Sequence, residues 1–136
     1  MKHSILTVLL MMFFLGCSKD APLQPRSPSF ARDIEPLLNK SCGFTNCHGG
    51  INTQPTGGVM VLETGSIYGS IYNVRSFIMP QLMRVRPFQP DSSVLVKKVR
   101  CDSDAPGSCM PFFGRPLNKA QINLIVAWVA AGALNN

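Results

Sequence analysis

Cys42-Gly43-Phe44-Thr45-Asn46-Cys47-His48 is the stretch on which the reading of this chain turns. It sets two thiols close together and an imidazole directly after the second. Covalent attachment of a c-type haem needs that combination: the thiols add across two vinyl groups, and the adjacent imidazole ligates the iron. The usual signature leaves two residues between the cysteines, whereas this chain has four, so the extra residues must bulge out between two anchored ends. The same residues admit two other readings. Cys42 and Cys47 could pair as a disulfide with His48 idle at the surface. Alternatively, Cys42, Cys47, Cys101 and Cys109 could hold zinc as four thiolates, which leaves His48 unused and needs reduced thiols.

A haem held by one histidine can take a thioether on its opposite face, so the methionines come next. Beyond the N-terminal segment there are Met60, Met79, Met83 and Met110. Two precede proline, as Met79-Pro80 and Met110-Pro111, and a residue before proline is pushed toward extended backbone, which presents its side chain from a loop. Met110 adjoins Cys109 and lies just before the last helical pattern, so its loop is stapled on one side. It is the expected distal ligand, with Met79 the alternative. Each methionine could instead be a flexible core filler.

The N-terminus speaks to the compartment. A basic start at Lys2 is followed by residues 5–15, apolar except for Thr7, a run too short for the roughly 20 residues of a membrane-spanning helix. Residues 1–16 therefore read as a signal peptide. Phe14-Leu15-Gly16-Cys17 resembles the lipobox of bacterial lipoproteins, which implies cleavage after Gly16 and lipidation of Cys17. Ser18, in place of an aspartate directly after that cysteine, favours the outer membrane. Pro22, Pro25 and Pro28 with polar residues between them make residues 17–28 a lipidated tether rather than a helix or strand. The domain then spans residues 29–136, anchored to a membrane and facing the periplasm or the cell surface.

Five cysteines, less Cys17, leave two close pairs in an oxidising compartment. With Cys42 and Cys47 given to the cofactor, Cys101 and Cys109 remain as each other's partners, closing a polar, turn-rich loop that cannot hold itself by packing. Two free thiols are the alternative. Composition narrows the function further. The net charge of +6 is spread so thinly that no block of like charge exceeds Lys97-Lys98, and aromatics are not interleaved with the basic residues. A nucleic-acid partner is not expected.

The remaining pattern is helical. Phe30, Ile34, Leu37 and Leu38 share one face of a helix over residues 30–40, with a kink or short first turn at Pro36. Asn118 and Gln121 fit a capping box, Gly132 a helix stop, and between them Ile122, Ile125, Val126, Val129, Leu124 and Trp128 make a helix apolar on most sides, expected to be buried. Short helical turns are expected over 66–72 and 92–99, and residues 57–62 read as an extended glycine loop against the cofactor edge. There is no internal repeat and no strand pair, so the expected class is all-α.

In order along the chain, Phe30-Ala31-Arg32-Asp33-Ile34-Glu35-Pro36-Leu37-Leu38, the Cys42/Cys47/His48-Gly49 stretch, Gly57-Gly58, Arg84-Val85-Arg86-Pro87, Asp91-Ser92-Ser93-Val94-Leu95, Met110-Pro111 and the segment around Trp128 and Gly132-Ala133 resemble the monohaem cytochrome c domains of bacterial exported proteins. More distantly they resemble the class I cytochrome c fold. The resemblance covers nearly the whole chain after Ser29. It implies a few short helices and loops wrapped around one haem c, attached through Cys42 and Cys47, with His48 as proximal and Met110 as distal iron ligand. With both axial positions filled, an electron carrier is expected rather than an enzyme, working between redox donor and acceptor proteins. Without Met110 on the iron the site would be gas- or peroxide-reactive. Without haem the chain would be a disulfide-stabilised surface lipoprotein with a binding role.

Overall fold

Pro36 governs how the first helix is wound. Proline has no N–H to donate and crowds the preceding turn. Ahead of it, Phe30–Ile34 forms a π-helical turn in which the Glu35 N–H donates to the Phe30 carbonyl five residues back, and α1 (Glu35–Cys42) continues with regular winding. The short irregular first turn expected at Pro36 is therefore present, and the helix runs two residues further than expected, to Cys42. Ser29 and Asp33 close its start reciprocally: the Ser29 N–H donates to the Asp33 carboxylate at 2.8 Å, while the Ser29 hydroxyl accepts from the Arg32 N–H at 3.4 Å.

The computed structural model describes residues 26–45, 47–49, 60–112 and 115–136. The expected signal peptide 1–16, Cys17 and most of the expected tether lie outside the described residues, as do Gly57, Gly58 and Val59 of the expected glycine loop. After α1 come α2 (Ile67–Ile71), a 3-10 turn (Pro90–Ser92), α3 (Val94–Arg100) and α4 (Lys119–Ala130). The architecture is helical. Among the described residues the extended pairings are isolated bridges, Tyr72 with Val85 and Met83 with both Arg75 and Ser93, which stitch the segment between α2 and α3. No described helix is long and apolar enough to cross a membrane.

The core joins Ile34 and Leu38 from the first helix, Ile67 and Ile71 from α2, Val96 from α3, and Ile125, Trp128 and Val129 from α4, all fully buried. Phe30 packs on Trp128 with ring centroids 5.5 Å apart and meets the edge of Tyr68 at 5.1 Å, a geometry that satisfies the ring quadrupoles. Polar tips find partners: the Trp128 indole donates to the Leu134 carbonyl and the Tyr68 hydroxyl to that of Ala133. The first and last described segments are clamped together, the Ser29 hydroxyl and the Ala31 N–H both donating to the Asn136 carbonyl.

The capping box at Asn118 and Gln121 is formed in both directions, each bond 2.9 Å. The helix ends in a Schellman arrangement, the Ala133 N–H donating to the Trp128 carbonyl and the Gly132 N–H to that of Val129. Gly132 has φ 102°, a conformation that glycine adopts without strain, and a Cβ there would also push aside the exposed Phe88 ring 2.7 Å away. One expectation is corrected: α4 is not buried all round. Asn123, Ala127 and Ala130 are exposed and Ile122, Leu124 and Val126 are half-buried, because α4 packs on α3, the 3-10 turn and the π-helical turn from one side.

Candidate functional site

The end of α1 delivers Cys42, buried, to the mouth of a tight loop. The His48 N–H donates back to the Cys42 carbonyl at 3.1 Å, while the Cys47 and Gly49 N–H groups both donate to the Phe44 carbonyl at 2.8 Å. These bonds draw the two ends of the stretch together and loop the spacer outward, leaving Phe44 and Thr45 exposed. Gly43 permits the closure: a Cβ there would lie 2.7 Å from the Asn39 carbonyl oxygen and 2.5 Å from that of Leu62. The Leu62 N–H in turn donates to the His48 carbonyl at 2.7 Å, pinning Leu62 against the histidine.

Cys42, Cys47 and His48 line one cavity of about 780 Å³, and Met110 lines it too. That volume lies within the roughly 300–1,000 Å³ of small-molecule and cofactor sites. Met60 is a further wall residue, whereas Met79 and Met83 are not. The two methionines come from different walls. Met60 belongs with His48: it lies two residues before Leu62, whose N–H donates to the His48 carbonyl. Met110 belongs with α3, its N–H donating to the Lys98 carbonyl at 3.1 Å. Met110 thus reaches the cavity from an element other than the one that carries His48, whereas Met79 does not line it.

The chemistry of the donor set is uneven in a telling way. His48 is buried, and its Nδ1 has no hydrogen-bond partner among the described residues. A buried, unsatisfied imidazole nitrogen on a cavity wall costs free energy unless something fills the cavity and uses it. Burial, with lesser repulsion from Arg84 and Lys98, holds the imidazole pKa below its usual value, against the opposing Met60 hydrogen bond. The ring is therefore kept neutral, the form that ligates a metal. Cys42 and Cys47 are both free. Burial, and then the neighbouring Cys47, push the Cys42 thiol up to about 11, so it is a neutral thiol at physiological pH, unlike the thiolate of a catalytic cysteine.

Cys101 and Cys109 are joined as a disulfide, with 4.9 Å between their Cα atoms. That pairing removes two of the four thiolates a zinc site would need, and no group of three or more His, Cys, Asp or Glu gathers among the described residues. Nor are Cys42 and Cys47 paired with each other. The disulfide loop is tied to α3 at further points: Lys97 Nζ to Asp104 at 2.6 Å, Lys98 Nζ to the Ser108 carbonyl at 2.8 Å, and the Asp102 N–H to the Lys97 carbonyl at 3.0 Å. Cys101 caps α3 in the left-handed conformation, φ 59°, which turns the chain back along the helix toward Met110.

Several wall residues carry no mark in the sequence. Val94, Leu95, Lys98 and Val99 all line the cavity, one face of α3 at helical spacing, and Arg84 joins them from the bridge segment. Phe77, Ile78 and Phe112 stand at the wall while remaining more than half exposed. The sequence predicts a helical turn over 92–99 but not which of its faces meets the cavity, and no local pattern marks Phe77 or Ile78 as wall residues. Comparison with family models, with curated proteins and with solved structures finds no match for this chain.

Proposed function

We propose that this chain is a His/Met-ligated monohaem c-type cytochrome with a cytochrome c-like fold, an electron carrier held to a membrane by a lipid on Cys17. One observation carries the reading: two free thiols, a neutral histidine with an orphaned buried nitrogen, and a methionine from another wall converge on one largely apolar cavity. Cys42 and Cys47 would hold haem c through thioethers, and His48 and Met110 would bind its iron. The haem would supply one-electron exchange between ferric and ferrous iron.

The chain's own residues do the rest. Leu62, Ile71, Val94, Leu95 and Val99 present hydrocarbon to the cavity and exclude water. Burial keeps the His48 ring neutral, so it is ready to bind without losing a proton. The Lys98 carbonyl and the disulfide hold the Met110 loop. Exclusion of water and a thioether ligand both favour ferrous iron. With His48 and Met110 both on the iron, substrate would have no place there, so the reading is electron transfer between protein partners rather than catalysis. Lipidation of Cys17 and export to the outer membrane belong to the same proposal.

The deciding experiment is covalent haem. The purified protein gives a haem-peroxidase stain on a denaturing gel and a pyridine haemochrome spectrum, and both vanish when Cys42→Ser and Cys47→Ser are combined. Colour that survives in the double variant refutes the attachment, and a colourless wild-type protein refutes the function.

A further inference from the structure

The segment from Cys101 to Met110 has two sides. Both cysteines are exposed to solvent, while Gly107 and Ser108 between them, and Met110 directly after, line the cavity. The disulfide therefore sits on the outer side of a piece of cavity wall. It ties no two helices together: it spans eight residues, and neither cysteine belongs to the buried cluster that joins the helices. What it fixes is local. Cys101 holds φ 59°, a left-handed conformation that costs free energy for a residue other than glycine, and the chain turns there to run back along α3. Beyond the turn the segment is held by single hydrogen bonds, the Asp102 N–H to the Lys97 carbonyl, the Lys98 ammonium to the Ser108 carbonyl and the Met110 N–H to the Lys98 carbonyl. Each is worth little beside the covalent bond. Exposed disulfides are the ones that external thiols reach, and they form the labile and regulatory class.

Resting on the haem reading, we infer that Cys101–Cys109 is a site of thiol–disulfide exchange with a dithiol partner, and that its redox state decides how firmly Met110 is held on the iron. One partner thiolate attacks a sulfur of the pair, forming a mixed disulfide and releasing the other cysteine as a thiolate, which takes up a proton. The partner's second thiol then displaces the mixed disulfide. Two electrons and two protons have passed from the dithiol to Cys101 and Cys109, the partner leaves as a disulfide, and the iron keeps its oxidation state. With the bond open, Cys101 leaves the left-handed region and the Met110 segment loosens from the wall. The iron then has a position for a small exogenous ligand, and the electron carrier becomes a ligand-binding haem protein until the pair is reoxidised.

The test uses the purified holoprotein with its iron reduced by ascorbate, which leaves disulfides intact. One sample is treated with dithiothreitol, both are blocked with iodoacetamide, and carbon monoxide association is followed by absorbance. Without denaturant the treated protein becomes alkylated on Cys101 and Cys109, as read by peptide mass, with its helical circular dichroism unchanged. Carbon monoxide then associates about ten- to sixtyfold faster, the upper figure being the whole loop-closure effect of so short a bond. Oxidised glutathione, added before blocking, restores the slow rate. Cys101→Ser with Cys109→Ser binds carbon monoxide fast with or without dithiothreitol; should that variant fail to accumulate, the wild-type labelling carries the same test. Labelling only after denaturation, or labelling with an unchanged carbon monoxide rate, overturns the exchange site while covalent haem stands. A wild-type protein without haemochrome, its Cys42 and Cys47 labelled as well, overturns the haem reading and this inference with it.

Discussion

Removing the disulfide should free Met110 before it unfolds the protein. Cys101 and Cys109 are eight residues apart in sequence. Closing so short a loop restricts the unfolded chain by about 2.5 kcal/mol, close to a sixtyfold change in the equilibrium for loop opening. Without the bond, the segment keeps the Met110 N–H to Lys98 and the Lys98 ammonium to Ser108, each contributing about 0.5–1.5 kcal/mol. The Lys97–Asp104 pair adds little, because Asp104 stands in solvent. Pro106 is the one residue of the loop that is buried. The helices rest on a different set of contacts, Trp128, Ile125 and Val129 against Phe30, Ile34 and Val96, none of which the disulfide touches. In Cys101→Ser with Cys109→Ser, the sulfur-to-iron charge-transfer band of the oxidised protein therefore bleaches at a denaturant concentration well below the loss of helical circular dichroism, and the gap is wider than in wild type. Parallel loss of both signals with the wild-type gap refutes the loop's independence. Two reactive thiols at these positions in unfolded, unreduced wild-type protein would refute the bond itself.

Two further outcomes are expected. Met110→Ala abolishes the charge-transfer band and lowers the potential while Met79→Ala leaves both intact, as measured by absorbance and redox titration, since Met110 lines the cavity and Met79 does not. Asp33 is held below the usual carboxylate pKa by the Ser29 N–H and then by Arg32; its stabilising effect is present above about pH 3.9 and lost as pH falls through the lowered folded value, so Asp33→Asn flattens the acid limb of a plot of thermal midpoint against pH.

Much of the fold is legible one element at a time. The π-helical turn follows from Pro36 and its missing donor, the start of α4 from Asn118 and Gln121, and its end from Gly132, because each is a transaction among residues within a turn or two of one another. The Cys101–Cys109 bond also follows from local chemistry, since nothing else could satisfy those thiols once Cys42 and Cys47 are set apart. Burial of α4 on one side alone was not legible: its composition is apolar nearly all round, and exposure depends on which neighbours reach it.

The cavity belongs to another order of information. Cys42, Cys47 and His48 announce themselves as a group because they are adjacent in the chain, and proline after Met110 and Met79 nominates both. What separates those two methionines is that Met110 lines the cavity and Met79 does not, which depends on how α3, its disulfide loop and the segment after His48 pack together. Arg84 and Lys98 line one cavity only because Arg84's carbonyl receives the Leu95 N–H and aligns the bridge segment with α3. Hydrogen bonds and caps act over a few residues and leave a trace in the order of residues. A cavity wall is assembled from segments far apart along the chain, and the register in which they meet is set by close packing of Ile34, Leu38, Ile71, Val85 and Val96, a property of all those side chains together and of none alone.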